Sequence, residues 1–467
     1  MTTVVSAVVL TAGMVAKAAG GHVVAGPETQ VFSGVSTDSR TIEAGALFVA
    51  LKGDRFDGHA FVADALARGA AGLLVSDAIT VKRGPAVIEV RDTLAALQRL
   101  GHDIRRRSGA RVVAITGSAG KTSTKEITAE LLAAQYDVYR NRGNLNNHIG
   151  LPLSLTELVR GQQIAVVELG MNHPGEIRTL VGIAEPDVRV WTNVGDAHIG
   201  FFGSREAIAA AKAEILEQAT PQTLVVANAD DALVMAHVAR FAGRRTTFGE
   251  AARADVRATN VVDRGFDGTR ADVVTPRGSL HLDVPLPGRA QLSNVLAAVT
   301  VALEFDVPVS KIEERVRGLV PVARRGAVTH LPSGARLVDD SYNASPAAVT
   351  AALTTLATTA AAGRRIAVLG EMLELGDQSR ALHEGVGRWA ARSRVDELVV
   401  IGGPAADGLA DGADAAGLAR ARVHRFADSA SAADAVVRLV APGDVVLVKG
   451  SRGTRTDLVA DRLKEGA

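Results

Sequence analysis

The sequence predicts an α/β protein of three domains: a small α/β N-terminal domain, a central domain with a P-loop-type parallel sheet and an antiparallel addition, and a C-terminal Rossmann-like, doubly wound domain. Three observations predict it. Apolar strands alternate with helical spacing along most of the chain, as in parallel sheets with crossover helices. One crossover, Val112 to Tyr136, passes from strand to helix through a glycine turn. A chain of 467 residues suits about three domains.

Hydrophobic residues make up 47% of the chain, enough for real cores, and aromatics only 3%, so Ala, Val and Leu must build them. A net charge of +1 gives no electrostatic ground for binding nucleic acid or a membrane surface. The chain has no cysteine, which excludes disulfides and thiolate chemistry and fits the cytoplasm. The apolar stretch Val4 to Ala19 resembles an export signal, but it lacks a basic leading segment and Lys17 interrupts it. No other run approaches the ~18 apolar residues of a membrane span. A soluble cytoplasmic monomer is expected.

Residues 1–108 form the first domain. Strands are expected at Leu47 to Leu51, Gly72 to Val75 and Ala86 to Val90, with helices at Phe61 to Arg68 and Thr93 to Arg107. Two polar loops, Ser36 to Arg40 and Lys52 to His59, sit beside strands, where ligand contacts concentrate; Asp and Gly are also ordinary turn residues there. Arg105 to Gly109 reads as a linker. Residues 109–321 form the central domain. Its strands Val112 to Ile115, Ile164 to Glu168 and Val188 to Val194 end in polar residues, and helices are expected at Thr122 to Tyr136, Ser204 to Gln218 and Gln291 to Phe305. Between them, residues 255–284 switch to short alternating strands with glycine turns, the antiparallel addition. Residues 322–467 form the third domain, with strands at Arg336 to Val338, Ile366 to Leu369, Leu398 to Ile401, Val423 to Phe426 and Val445 to Lys449. No G-x-G-x-x-G opens its first helix, so a dinucleotide cofactor is not indicated.

The strongest chemical signal is Thr116-Gly117-Ser118-Ala119-Gly120-Lys121-Thr122-Ser123. Glycines let backbone N–H groups converge on phosphate oxygens, a helix N-terminus favours anions, and Lys121 offers a point charge to the outer phosphates. The Thr122 hydroxyl suits a magnesium shell. The spacing is not the usual G-x-x-x-x-G-K-[ST], because position 115 is Ile. In a parallel sheet the ligand crevice lies outside the carboxyl ends of the strands, which brings Glu168 and the Asn193 to His198 loop toward this turn. Asn144, Asn146 and Asn147 could line the same cleft, though each is also a common turn residue. Lys212 lies on the Ser204 to Gln218 helix; on its own, a helix lysine there is as readily a solvated one.

These segments resemble the Mur ligases, in order and over nearly the whole chain. The resemblance rests on Asp38-Ser39-Arg40, the Thr116 to Thr122 turn, Gly143-Asn144-Leu145-Asn146-Asn147, Glu168 to Ile177 and Ala197 to Ser204. In the third domain it rests on Asp339 to Pro346, Gly370-Glu371-Met372-Leu373-Glu374-Leu375-Gly376, and Lys449-Gly450-Ser451-Arg452-Gly453. It is strongest to the branch that joins D-alanyl-D-alanine to a UDP-N-acetylmuramoyl-tripeptide, a step of peptidoglycan precursor synthesis and so of cell-wall growth and division. The resemblance implies that ATP phosphorylates the peptide carboxylate and that the dipeptide amine displaces phosphate. It implies that Lys121 and the Gly117 to Gly120 backbone hold phosphates, that Thr122 and Glu168 hold one magnesium ion, and that Glu168 and His198 hold a second. Lys212 matches a lysine that relatives carry as a carbamate. Asn294 would read adenine, and Arg325 and Asp340 would reach the γ-phosphate and the ribose. Ser39, Arg40, Lys52 and His59 would hold the UDP moiety. Asn146, Asn147, Asn172 and His173 would touch the muramoyl peptide, and Tyr342, Asn343 and the Leu373 to Gly376 loop would shape the dipeptide pocket.

Two departures stand out. Relatives usually read Pro-Gly-x-His-Asn where this chain has Pro287-Gly288-Arg289-Ala290-Gln291, and Ala119 replaces a residue that is often polar. Three rivals stay open. The ligase that adds the third peptide residue usually carries an Asp-Asn-Pro-Arg segment, where this chain has Gly370 to Gly376; folylpolyglutamate synthase lacks the UDP domain; a nucleotide-hydrolysing switch would need no second substrate.

Overall fold

The computed structural model describes residues 7–53, 56–79 and 84–466, so Asp54 and Arg55 of the Lys52 to His59 loop, and residues 4–6 of the early apolar stretch, lie outside the described residues. Two compact units result, one built from Met1–Thr116, Gln135–Arg189 and Glu214–Leu224, the other from Gly117–Ala134, Val190–Ala213 and Val225–Ala467.

The first unit opens with helix α1 (Ala12–Ala19), where the sequence reading saw only an apolar stretch. The Thr11 hydroxyl accepts from the Met14 N–H at its start, and Gly20, with φ 71°, ends it. Five strands then form a sheet: β1 (His22–Ala25), β2 (Val35–Ser36), β3 (Leu47–Val49), β6 (Gly72–Val75) and β7 (Ala86–Glu89), in the order β1-β7-β6-β3-β2. All pairs are parallel except β1–β7. A separate small hairpin joins β4 (Lys52–Gly53) to β5 (Phe56–Asp57), and α2 spans Val62–Ala67. β3 and β6 are buried along their length, and Phe48, Leu73, Val75 and Val87 share one core with Ile42 and Val62.

Helix α3 (Thr93–Ser108) closes this region, with Asp92 capping its start and Gly109, at φ 67°, its end. The expected linker is therefore the last turn of a helix. Arg105 and Arg106 sit where the helix dipole favours cations. Arg105 also donates to the carbonyls of Ala184 and Glu185 and to the Asp187 carboxylate, at 2.7, 2.8 and 2.9 Å. A local charge run could not reveal those acceptors, which lie some eighty positions along the chain.

The middle of the chain supplies β8 (Arg111–Thr116), α4 (Lys121–Leu132), β9 (Val138–Arg140), α5 (Gly150–Leu155), β10 (Ile164–Glu168), α6 (Glu176–Ala184), β11 (Val188–Trp191), α7 (Ile199–Phe202), α8 (Arg205–Ala213), β12 (Leu224–Asn228), α9 (Ala232–Val238), β13 (Arg244–Gly249), β14 (Val256–Asp263), β15 (Thr269–Thr275), β16 (Gly278–Val284), α10 (Arg289–Glu304) and α11 (Val309–Arg317). The strands stand in the order β16-β15-β14-β13-β12-β11-β8-β10-β9. β9 and β8 flank β10 in parallel, whereas β14, β15 and β16 are antiparallel, the addition that the sequence suggests. β8 and β10 are buried almost throughout, which is why they read as continuous apolar runs.

Two helices stop short of their expected ends. α4 ends at Leu132 rather than Tyr136. The expected Ser204 to Gln218 helix breaks after Ala213. Beyond that point the carbonyls turn to Arg189, which is 2% exposed and donates to Ile215 and Gln218 at 2.6 and 3.2 Å, and to Glu217. Glu214 meanwhile accepts from the N–H groups of Gly175 and Arg178 at the start of α6.

The third sheet contains β17 (Ala327–His330), β18 (Arg336–Asp340), β19 (Arg365–Gly370), β20 (Glu397–Ile401), β21 (Val423–Phe426) and β22 (Val445–Lys449), in the order β17-β18-β22-β19-β20-β21. β18 to β22 are parallel, and β17, a strand absent from the sequence reading, adds an antiparallel edge. The connecting helices are α12 (Pro346–Thr358), α13 (Ser379–Arg392), α14 (Asp407–Ala415), α15 (Ser429–Leu439) and α16 (Asp457–Glu465). Leu337, Val368, Val399, Val446 and Val448 form the core beneath α15 and α16. This is the α/β parallel sheet expected of the third domain, with its last strand, β22, returning between β18 and β19. Among the described residues, no helix is long and apolar enough to cross a membrane.

Replacing the buried Arg189 with Met should leave the Ile215, Glu217 and Gln218 carbonyls without their donor. The expected cost is roughly 2–4 kcal/mol, read as a lower thermal midpoint; an unchanged midpoint would show that these carbonyls find other donors.

Candidate functional site

The glycine turn is shaped by the residues that follow β11. Gly117 has φ 153° and Gly120 φ 79°, so both occupy backbone that side chains disfavour. A Cβ on Gly117 would lie 1.9 Å from Thr192 Oγ1, and one on Gly120 would lie 2.3 Å from Asn294 Oδ1. Asn193 grips the tip of the turn. Its Oδ1 accepts from the Ala119 N–H at 2.8 Å, its Nδ2 donates to the Ala119 carbonyl at 3.1 Å, and its own carbonyl accepts from the Ser118 N–H at 3.0 Å. Thr192 Oγ1 donates to the same Ala119 carbonyl at 2.8 Å.

The Ser118 and Ala119 N–H groups thus donate to Asn193 and hold the turn in shape. The first turn of α4 follows directly, at a helix N-terminus, where N–H groups favour anions. There Lys121 Nζ donates to the Gly117 carbonyl at 2.8 Å, and Thr122 and Ser123 are each 9% exposed. The Asn193 grip also explains why Ala suffices at position 119, where only the backbone is engaged.

In the first unit, Glu168 closes β10 in register with Ile115 of β8, and the Thr116 hydroxyl donates to the Leu169 carbonyl at 3.0 Å. Glu168 is 3% exposed. Asn146 Nδ2 donates to its Oε1 at 2.7 Å, and its N–H donates to Asn141 Oδ1. Asn146 therefore helps aim the carboxylate. Asn147 accepts from the Ile149 and Gly150 N–H groups at the start of α5. The N–H groups of Asn172 and His173 both donate to Glu176, and the His173 side chain is exposed.

In the second unit, His198 stands at the start of α7 with φ 66°, past the end of β11 and not on a strand end as expected. Its Nδ1 lies 2.6 Å from Glu374 Oε2. Burial pushes the imidazole below its ordinary pKa; Glu374 opposes this, while the charges of Lys121 and Lys212 add to it. The ring is therefore held toward its neutral form. Lys212 is 1% exposed, which removes the reading of a solvated helix lysine. Asn294, on α10, accepts from Thr124 at 3.2 Å and donates to Gln291 at 2.9 Å. Gln291, part of the departure from the usual His-Asn, thus holds Asn294 against the turn.

In the third sheet, Asp340 ends β18 and Lys449 ends β22, in register. Lys449 Nζ donates to Asp340 Oδ2 at 2.6 Å and to the Asn343 carbonyl at 3.0 Å. The Arg325 guanidinium lies 4.1 Å over the Tyr342 ring. The sequence reading quoted the segments containing Lys449 and Asn193 but gave neither a role of its own, and placed Glu374 only within the Leu373 to Gly376 loop. For Lys449 and Asn193, their position at or just beyond the end of an apolar strand was the available signal.

In the N-terminal region, Arg40 pairs with Asp38 in a two-bond fork, holding that carboxyl down at about 2, while Ser39 is buried. Lys52 lies 3.6 Å from Asp57 and 3.4 Å from Asp77. His59 Nδ1 meets Asp57 at 2.6 Å and Nε2 accepts from the Ser76 N–H at 3.0 Å. Asp57, His59 and Asp77 have metal-ligand spacing, but the Lys52 ammonium already sits beside both carboxylates.

The comparisons agree with this layout. The Mur ligase family, catalytic domain matches residues 31–132, the Mur ligase middle domain 115–302, and the Mur ligase, glutamate ligase domain 324–452. The UDP-N-acetylmuramoyl-tripeptide–D-alanyl-D-alanine ligase of Escherichia coli (strain K12) is 37% identical over 435 residues, covering 92% of this chain and 93% of its own. A crystal structure of MurF from Acinetobacter baumannii superposes with a TM-score of 0.89 at 33% identity, over 98% of this chain and 100% of that one. MurF ligase from Thermotoga maritima, solved in complex with ADP, gives 0.80 at 30% identity over 93% and 97%. With this agreement along nearly its full length, the chain belongs to the Mur ligase family and is a ligase.

Proposed function

We propose that the chain is an ATP-dependent ligase that joins D-alanyl-D-alanine to a UDP-N-acetylmuramoyl-tripeptide, forming ADP and phosphate, in the cytoplasmic assembly of peptidoglycan precursor. The observation that carries the reading is the glycine turn gripped by Asn193 at the start of α4, in a chain whose relatives are named for this reaction. We divide the work among residues 1–108 for the UDP substrate, 109–321 for ATP, and 322–467 for closing over both. We read the chain as acting as a monomer.

A carboxylate resists attack by an amine because its leaving group would be oxide. Transfer of the γ-phosphoryl group makes an acyl phosphate; the amine nitrogen then bonds to the acyl carbon, the C–O bond breaks, and phosphate leaves with the electron pair. Lys121 and the first turn of α4 hold the phosphates. Asn294 keeps the turn in place beside the adenine side, Arg325 turns from Tyr342 toward the γ-phosphate, and Asp340 meets the ribose. Ser39, Arg40, Lys52 and His59 hold the UDP end, with Asn146, Asn147, Asn172 and His173 nearer the peptide, and Tyr342 and Asn343 beside the dipeptide.

The donor chemistry fits magnesium. Thr122 and the buried Glu168 each offer a hard oxygen, and His198, held toward its neutral form, offers a ring nitrogen. A bare ammonium on the buried Lys212 would repel such an ion, whereas a carbamate there would attract it. Bound magnesium, one ion or two, neutralises phosphate charge that would otherwise repel the incoming carboxylate.

Phosphate release should require the UDP-tripeptide and D-alanyl-D-alanine together; release with neither would favour a hydrolytic switch. Lys121→Ala should lower turnover by at least about 100-fold with its circular dichroism unchanged; near-normal ligation would remove the central assignment. Gly120→Ala should lose nucleotide binding, because its Cβ would enter the space of Asn294; calorimetric titration with ADP would read this, and unaltered affinity would contradict the tight fit. Lys212→Ala should be weak and partly restored by short-chain carboxylates, and a lack of any rescue would speak against the carbamate.

A further inference from the structure

β12 ends at Asn228, and the short run Ala229-Asp230-Asp231 leads from it into α9. Asn228 and Asp231 both reach across to the segment that follows β11. Asn228 Nδ2 donates to the Thr192 carbonyl at 2.8 Å, and Asp231 Oδ2 accepts from the Val194 N–H at 2.7 Å. Both side chains are firmly set. Asn228 is buried, and its Oδ1 accepts from the Asp230 N–H at 2.9 Å. Asp231 Oδ1 accepts from the Leu233 and Val234 N–H groups at 3.0 and 3.1 Å, capping α9.

These two contacts bracket Asn193. A peptide unit is planar, so a bond to the Thr192 carbonyl fixes the plane before Asn193, and a bond to the Val194 N–H fixes the plane after it. Only two soft dihedrals lie between those planes, and both belong to Asn193. With the planes held, the direction of its Cα–Cβ bond is held too. That direction decides whether one side-chain amide can donate to and accept from Ala119 at once. A loop residue just past a strand end has no ladder to set it; here the end of β12, the neighbouring strand of the sheet, does so.

We infer that Asp231, with Asn228, is a positioning residue for nucleotide binding, acting on the glycine turn through Asn193. The inference rests on the ATP-binding reading proposed above and adds two residues that hold the Asn193 segment rather than the turn itself. A turn that keeps its binding geometry only part of the time binds more weakly by that fraction. Charge predicts the opposite sign. On Coulomb's law alone, removing a carboxylate favours a polyphosphate.

Calorimetric titration of the full-length chain with ADP and magnesium chloride tests this. Asp231→Ser keeps a good helix cap but has one short hydroxyl in place of two carboxylate oxygens. Asp231→Asn keeps the size, yet one of its two ends becomes a donor. Each should raise the Kd for ADP by about 10-fold. Asn193→Ala should raise it at least as far. Adding Asp231→Ser to Asn193→Ala should then cost less than about 2-fold more, because residues acting through one contact are not additive. Wild-type affinity for ADP in either Asp231 variant would overturn the inference. So would a larger further loss beside Asn193→Ala, or unfolding of both Asp231 variants, since Asp231 would then serve only to hold α9. A wild-type chain that binds no ADP would instead overturn the nucleotide reading beneath it.

Discussion

The structure depends on one backbone constraint: the chain must reverse between β8 and α4 in a turn too tight for side chains, and must stay there without a ligand. Glycine makes the turn accessible but does not hold it, since the same freedom favours the unfolded chain. Asn193 supplies the hold. A single amide that both donates to and accepts from Ala119 replaces the bonds a strand or helix would have made. Thr192 and Asn294 fill the spaces that the two glycines leave. The start of α4 is thereby fixed in position.

The fold also places charge at strand ends. β10 ends in a carboxylate, β18 in a carboxylate and β22 in an ammonium, each buried or paired with a neighbour in register. Within any one parallel sheet, side chains that leave the core at the carboxyl ends of the strands emerge on the same edge. Burying Lys212 and Glu168 carries a desolvation cost that their surroundings must offset.

Much of this was legible in the sequence because it is local. The glycine turn, the strand Ile164 to Glu168 and the strand Val445 to Lys449 stand where pattern and composition put them. What escaped is long-range. Nothing near Arg105 shows that carbonyls at 184 and 185 will claim it, so a charge run looked like a linker. Nothing near Gln218 shows that Arg189 will unwind the helix there. The Asn146–Glu168 hydrogen bond becomes visible only once β10 is in place. The family resemblance located the residues of the site; only the fold separates those that face outward from those that hold their neighbours.

At the centre of the account is the passage of an oxygen atom: a peptide carboxylate becomes an acyl phosphate, and one of its oxygens must leave on the phosphate. Mass spectrometry of phosphate released from a UDP-tripeptide labelled with oxygen-18 in its terminal carboxylate measures this directly. The account predicts that the released phosphate carries one labelled oxygen. Unlabelled phosphate, with both labels retained by the peptide or lost to water, would contradict it.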